Sequence, residues 1–293
     1  MKKLIFISLV IFSCTQEKRV EQLDIQGHRG ARGLMPENTM EGFIKAVDIG
    51  VNTLELDLSV TKDSQLIVSH EPFFSSEFCL DTLGSRVDES KQSDYNIYQM
   101  SYEETQRFDC GSIAHARFPD QMKLTTRKPL LKDVLSVIET KTASENLPAQ
   151  HYNIELKTTR EGDNVYHPRP EVFSDMVYQL ITQENLWERV NIQSFDFRTL
   201  TYFHTRYPKV RLALLIENKL PWKTNIDSLG FTPEIYSCDY QLLSREIVSD
   251  LQAANMLVIP WTVNDTKEMK KLIDWGVDGF ITDYPNRAIE LVK

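Results

Sequence analysis

The stretch QGHRGARGLMPENT, Gln26 to Thr39, sets His28 beside Arg29 between glycines, at the end of a short apolar lead. An imidazole moves protons near neutral pH, and a guanidinium grips an oxyanion with a fork of donors. Glycines on either side let the backbone turn sharply or come close to a ligand. The plainer reading of this stretch alone is a polar turn. Further on, Glu55 and Asp57 stand two residues apart in TLELDLSV. On a strand both carboxylates point to one face, where they repel unless a cation lies between them. Glu155 repeats the arrangement in YNIELKT, with Lys157 two residues later. Three convergent carboxylates with no cysteine among them favour a hard cation, Mg²⁺ or Ca²⁺, over zinc. His70 closes the extended run QLIVSHEP just before Pro72. Two imidazoles, three acids, an arginine and a lysine together suit a phosphate ester. Cations neutralise charge as it shifts on the phosphoryl group, while the imidazoles serve as base and acid on opposite sides of phosphorus. The competing reading makes the acids partners of Arg29 and Lys157 in a salt-bridge network.

For these groups to meet, the chain must bring distant segments to one place. Eight strand-like runs recur along it: DIQGH, TLELDLSV, YNIELKT, VNIQSF, RLALLIE, EIYSCDY, LVIPWTV and GFITD. Helical patterns lie between most of them, at LLKDVLSVIET, DMVYQLITQ, REIVSDLQAAN and TKEMKKLIDWG among others. Asn38 with Glu41 predicts one capping box, and Asp265 with Glu268 a second, closed by Gly276. This alternation predicts an α/β fold, a TIM (β/α)₈ barrel, whose catalytic groups gather at the C-terminal ends of the strands. An open doubly wound sheet is the alternative, but no G-x-G-x-x-G follows the first strand. Residues from about 74 to 127 break the alternation and predict an insertion on one rim of the barrel.

The chain of 293 residues is 41% hydrophobic and 26% charged, the profile of an ordinary globular protein. Its formal net charge of -9 lacks the basic footprint of a nucleic-acid surface. Lys2-Lys3 precede an apolar run, Leu4 to Phe12, that is too short to span a membrane and ends at Ser13-Cys14. This resembles a bacterial lipobox, with Ile11 where Leu is usual, and Cys14 as the lipidated residue. The expected domains are therefore 1–22, signal peptide and tether, and 23–293, barrel with insertion. The expected location is outside the cytoplasm, on a membrane through the lipid anchor, facing the periplasm or cell surface. A plain secretory signal is the alternative. Export permits disulfides, and Cys79 and Cys110, both in the inserted segment, are the expected pair, with Cys238 a buried free thiol. The oligomeric state is left open by the sequence.

HRGARGLMPENT, then ELDL, then VSHEP resembles the signature of the glycerophosphodiester phosphodiesterase family, and IELKT, IQSFD, PWTVND and GVDGFITDYP resemble its later stretches. The likeness spans about residues 24 to 288. It implies a TIM barrel with an insertion after the strand bearing the second histidine, and a divalent metal that helps cleave glycerophosphodiesters into glycerol 3-phosphate and an alcohol. By position, His28 and His70 resemble the acid–base pair, and Glu55, Asp57 and Glu155 the metal ligands. Arg29 and Lys157 resemble phosphate contacts, and Trp261 an aromatic wall for the glycerol or leaving group. Glu37 and Gln193 are weaker site candidates. The other histidines, His115, His151, His167 and His204, read as surface or packing residues. Two other functions fit the same sequence. One is a phospholipase D-like activity on lysophospholipids or sphingomyelin, which needs an apolar groove that Phe73, Phe74 and Phe78 hint at. The other is an inactive surface-binding lipoprotein.

Overall fold

The computed structural model describes residues 23–293. The expected leader and tether, with Cys14, lie outside the described residues. Eight strands run parallel: β1 (Asp24–Gly27), β2 (Thr53–Val60), β4 (His151–Leu156), β5 (Val190–Ser194), β6 (Arg211–Ile216), β7 (Ile235–Cys238), β8 (Leu257–Val258) and β9 (Gly279–Thr282). They are ordered β8-β7-β6-β5-β4-β2-β1-β9. Pro260 shortens the regular part of β8. Closure onto β9 is made instead by the amides of Asp278, Ile281 and Val263, which bond to Val258, Pro260 and Ile281. The result is the expected barrel.

The strands alternate by face. Leu54, Leu56 and Leu58 of β2 enter the large core between barrel and helices, as do Ile154 and Leu156 of β4. Inside the barrel the lining divides. Ala213, Ile235, Ile259 and Ile281 form a small apolar cluster on one side. On the other, side-chain amides form a ladder centred on Asn153, which donates to Gln26 and Gln193 and accepts from Asn191. That ladder ends on Glu55 and gives a buried carboxylate a fixed donor.

Helix α1 (Met40–Ile49) follows β1 and is capped by Thr39, not Asn38. Asn38 has φ 54° and is held by Asp57 instead, so the helix begins one residue later than the sequence suggested. Asparagine tolerates this left-handed backbone better than most residues. Helix α8 (Thr266–Trp275) has the expected Asp265 cap and Gly276 end, but Glu268 pairs with Lys271 and does not close a box.

A short strand, β3 (Leu66–Val68), runs antiparallel to the top of β2. This hairpin explains how His70 reaches the site. The chain climbs β2, turns through Thr61–Gln65, and descends, so that the Ser69 amide bonds to the Asp57 carbonyl. Beyond His70 the insertion folds on its own core of Phe74, Phe78, Val87, Ile97 and Phe108, with Cys79 bonded to Cys110. It contains two 3₁₀ helices, Glu89–Asp94 and Ile97–Gln99, and one short α-helix, α2 (Tyr102–Thr105), with a Ser101–Glu104 capping box. Phe74 stacks on Phe108 and is fully buried, and Phe78 is nearly so. Neither forms an apolar groove; only Phe73 and the edge of Phe78 reach a cavity wall. His151 begins β4 and His204 stacks on Phe231. His115 and His167 are buried packing residues, though each has a carboxylate within 4 Å, Glu77 and Asp163, that its spacing did not suggest.

Candidate active site

Glu55, Asp57 and Glu155 each offer a carboxylate oxygen within 4.8 Å of the other two, and all three are buried. The strand register makes this unavoidable, since Asp57 of β2 sits directly beside Glu155 of β4. Three fixed donors hold Glu55 and Asp57. The Arg29 amide donates to Glu55 Oε2 at 2.8 Å, Gln193 Nε2 to Oε1 at 2.8 Å, and Asn38 Nδ2 to Asp57 Oδ2 at 2.9 Å. Arg29 Nε lies 3.2 Å from Asp57 Oδ2, while its Nη1 donates to Glu37 at 2.8 Å. Lys157 Nζ donates to Glu155 at 2.8 Å and lies 3.7 Å from Asp57 Oδ1. So the salt-bridge reading is partly right: Arg29 and Lys157 do pair with the acids. It is incomplete, because Asp57 Oδ1 is buried with no hydrogen-bond partner among the described residues. A buried carboxylate oxygen left without a donor is costly. Oxygen-only donors around such an orphan fit a hard divalent cation.

The electrostatics agree. Burial raises Glu55 well above the usual carboxylate range, and the neighbouring Asp57 and Glu155 raise it further. Burial also lifts Glu155, to about 7, against the pull of Lys157. Asp57 is lowered: burial opposes its ionisation, but Arg29, His70 and Lys157 outweigh it. Ionising all three acids at once would place more negative charge here than Arg29 and Lys157 neutralise.

The two histidines approach from different sides. His28 Nδ1 donates to Asp283 Oδ1 at 2.7 Å, which turns Nε2 toward Glu55, 3.9 Å away. Asp283 follows β9 and is gripped by Arg32, at 2.7 and 3.1 Å, and by Asn264 Nδ2 at 2.7 Å. His70 Nδ1 donates to Glu71 Oε1 at 2.7 Å. Burial lowers His28 to about 4, helped by Arg32 and opposed by Asp283. Burial lowers His70 too. Asp283, Arg32, Asn264 and Glu71 were not picked out from the sequence, and Asn38 was read there only as a helix cap. Asp283 and Asn264 lie within GVDGFITDYP and PWTVND, but 255 residues separate Asp283 from the histidine it orients.

A cavity of about 690 Å³ opens at the strand ends, and His28, Arg29, Glu55, His70, Glu155, Lys157, Gln193 and Trp261 all line it. Trp261 donates its indole N–H to the Ser237 carbonyl and meets Phe195 edge-on at 5.5 Å. It therefore both caps the apolar half of the barrel and walls the mouth. Glu37 lies behind Arg29, with Arg32 3.5 Å from its second oxygen. Every site residue proposed from the described part of the sequence is thus brought to one mouth, apart from the paired cysteines of the insertion.

The model of the glycerophosphoryl diester phosphodiesterase family matches residues 28–287. The chain belongs to this family. A glycerophosphodiester phosphodiesterase of Bacillus altitudinis is 29% identical over 271 residues, covering 91% of this chain and 97% of that one. A solved structure from Silicibacter pomeroyi, assigned to the same family, is 25% identical with a TM-score of 0.82, covering 93% and 94% of the two chains. The fold is also that of an Oleispira antarctica phosphodiesterase solved with sn-glycerol 3-phosphate, at 19% identity and TM-score 0.70, covering 92% and 96%. The chain is accordingly a glycerophosphodiester phosphodiesterase on a TIM barrel, with a buried acidic triad able to hold a metal ion.

Proposed function

We propose that this phosphodiesterase releases glycerol 3-phosphate and an alcohol from glycerophosphodiesters, with His28 and His70 as its proton-transfer pair. The observation that carries this reading is the convergence of both imidazoles on the triad, each fixed at Nδ1 by a carboxylate so that Nε2 is free to act. Glu55, Asp57 and Glu155 would hold Mg²⁺ or Ca²⁺. Such an ion, when bound, neutralises phosphoryl charge and polarises the P–O bonds. Arg29 and Lys157 hold the phosphate oxygens from the flanks. Asp283 and Glu71 are positioning residues that keep the two rings in one tautomer and one plane. His28, neutral at physiological pH, suits the base; His70 then protonates the departing alkoxide. The attacking group is the glycerol 2-hydroxyl or a water. Gln193 orients Glu55, Glu37 orients Arg29, and Trp261 packs against an arm of the diester.

The chain acts, in this reading, as a lipoprotein tethered through Cys14 on the outer side of a membrane. A fatty-acid label present in the wild type and absent from Cys14→Ser supports that; equal labelling refutes it. The activity is tested by product analysis on glycerophosphocholine, glycerophosphoethanolamine and a lysophospholipid. Release of glycerol 3-phosphate from the two soluble diesters supports the reading. Turnover of the lysophospholipid alone would favour the phospholipase D-like reading instead.

A further inference from the structure

The inside of a TIM barrel is ordinarily packed with branched apolar side chains. Here one side is, at Ala213, Ile235, Ile259 and Ile281. The other side holds four buried amides, Gln26, Asn153, Asn191 and Gln193. A buried amide is destabilising unless it is partnered. The strand register sets Asn153 of β4 directly beside Glu55 of β2 and Asn191 of β5.

The bonds run between two carboxylates. Asp24, the first residue of β1 at the floor of the barrel, accepts from Gln26 Nε2 at 2.7 Å. Gln26 Oε1 accepts from Asn153 Nδ2 at 2.8 Å. The same nitrogen donates to Gln193 Oε1 at 3.0 Å. Gln193 Nε2 donates in turn to Glu55 Oε1 at 2.8 Å. An amide within such a chain accepts at oxygen and donates at nitrogen, so it passes the bond on in one direction. A chain that meets an acceptor at both ends must reverse once, at a group with two donors. Asn153 is that group. Both its N–H bonds are used, and its oxygen accepts from Asn191. Turned over, it would set oxygen against two oxygens and N–H against N–H.

The consequence falls on Glu55. Its Oε2 accepts from the Arg29 amide, and its Oε1 has Gln193 as its one hydrogen-bond donor among the described residues. The oxygen and nitrogen of a glutamine amide are nearly alike in shape, so packing does not decide which of them faces Glu55. The bond from Asn153 does. With Oε1 tied to Asn153, Nε2 faces the carboxylate; reversed, two oxygens would confront each other.

We propose that Asn153 is a positioning residue for cation binding, acting through Gln193 on Glu55. The proposal rests on the metal reading of the triad. It adds a residue that sets affinity from outside the lining of the active-site cavity.

The test is calorimetric titration of Mg²⁺ into the chelator-treated full chain, as wild type, Asn153→Leu, Gln193→Leu and the double variant. Leucine is close to asparagine in bulk and offers no donor. Asn153→Leu should weaken Mg²⁺ binding by about tenfold, the lower end for a residue that supports a metal ligand. Gln193→Leu should weaken it at least as much. Adding Asn153→Leu to Gln193→Leu should then change it by less than about twofold, because the path is already cut. At saturating Mg²⁺, glycerol 3-phosphate release by Asn153→Leu should return to within about threefold of the wild type, a rescue that a general packing defect would not show. Asn153→Thr keeps similar bulk and one donor, and serves if leucine unfolds the barrel; it should weaken binding by about three- to tenfold. A folded Asn153→Leu or Asn153→Thr that binds Mg²⁺ within about twofold of the wild type would overturn the proposal, as would losses that simply multiply in the double variant. A wild-type chain that binds neither Mg²⁺ nor Ca²⁺ would overturn the metal reading itself, and the proposal with it.

Discussion

Asp283→Asn removes one charge and almost no volume from beneath His28. One Asp283 oxygen accepts from His28 Nδ1 and Arg32 Nε, and the other from Arg32 Nη2 and Asn264 Nδ2. Either orientation of an amide aims N–H groups at some of these donors. Breaking a buried pair costs about 3–5 kcal/mol. Arg32 keeps Glu37 at 3.5 Å, so the lower end, about 3 kcal/mol, is expected here. For a chain of this size that lowers Tm by about 6–12 °C. His28 loses the acceptor that fixes its tautomer, and kcat should fall by about 10²- to 10⁴-fold. The pH dependence has a definite sign. Burial raises the Asp283 pKa, but His28 and Arg32 overcome it and hold the carboxyl well below the usual range. A depressed acid stabilises the fold fully above its unfolded pKa, about 3.9, and that contribution is lost as the pH falls toward the folded value. The melting gap between wild type and variant should therefore be constant from pH 7 to about 5 and shrink below about pH 4. Thermal melts across this range, with kcat at neutral pH, test both parts. A variant that melts with the wild type and keeps kcat within a few-fold would refute the assigned role of the His28–Asp283 pair.

His28→Ala and His70→Ala should each lower kcat by about 10²- to 10⁴-fold, with the double variant little worse than the poorer single one. A nitrophenyl diester, whose leaving group needs no proton, should rescue His70→Ala alone; rescue of His28→Ala instead would exchange the roles. Lys128 is buried over the rings of Phe74 and Phe78, and burial lowers its pKa to about 8. Below that pH the folded state carries a buried charge, so Lys128→Met should be the more stable at pH 7, by at most about 3 kcal/mol. Because the unfolded lysine still binds its proton up to about 10.4, wild-type stability rises with pH between 8 and 10 and the gap closes; a gap constant with pH would contradict this. Cys79 and Cys110, 31 residues apart, should appear linked in an unreduced digest, and their replacement by alanine should cost about 3–4 kcal/mol; two freely alkylatable thiols would refute the link.

The barrel was legible because its strands are short, apolar or alternating, and separated by periodic helices. The acidic triad was legible because a two-residue spacing on one strand fixes which way Glu55 and Asp57 point, whatever surrounds them. The supports of the site were not. Asp283 is an ordinary acid after a strand until barrel closure sets β9 beside β1. Asn38 looked like a cap because asparagine is a frequent one; its bond to Asp57 is tertiary and leaves no local trace. Helices α5 (Phe197–Arg206), α6 (Trp222–Leu229) and α9 (Pro285–Val292) were not distinguished in the sequence. They are short, and tertiary packing holds them more than intrinsic propensity does. The insertion lacks periodicity because its core is built from turns around Phe74, Phe108 and the cystine.

The buried carboxylates of Glu55, Asp57 and Glu155 are held together, in this reading, by a divalent cation on which hydrolysis depends. The direct measurement is titration of Mg²⁺ and Ca²⁺ into chelator-treated full chain, wild type and Glu55→Gln, with glycerol 3-phosphate release followed at each addition. One ion bound per wild-type chain, activity returning in step with its binding, and weakened binding by a folded Glu55→Gln variant are predicted. Full activity of the chelated wild type, or binding unaltered by Glu55→Gln, would contradict it.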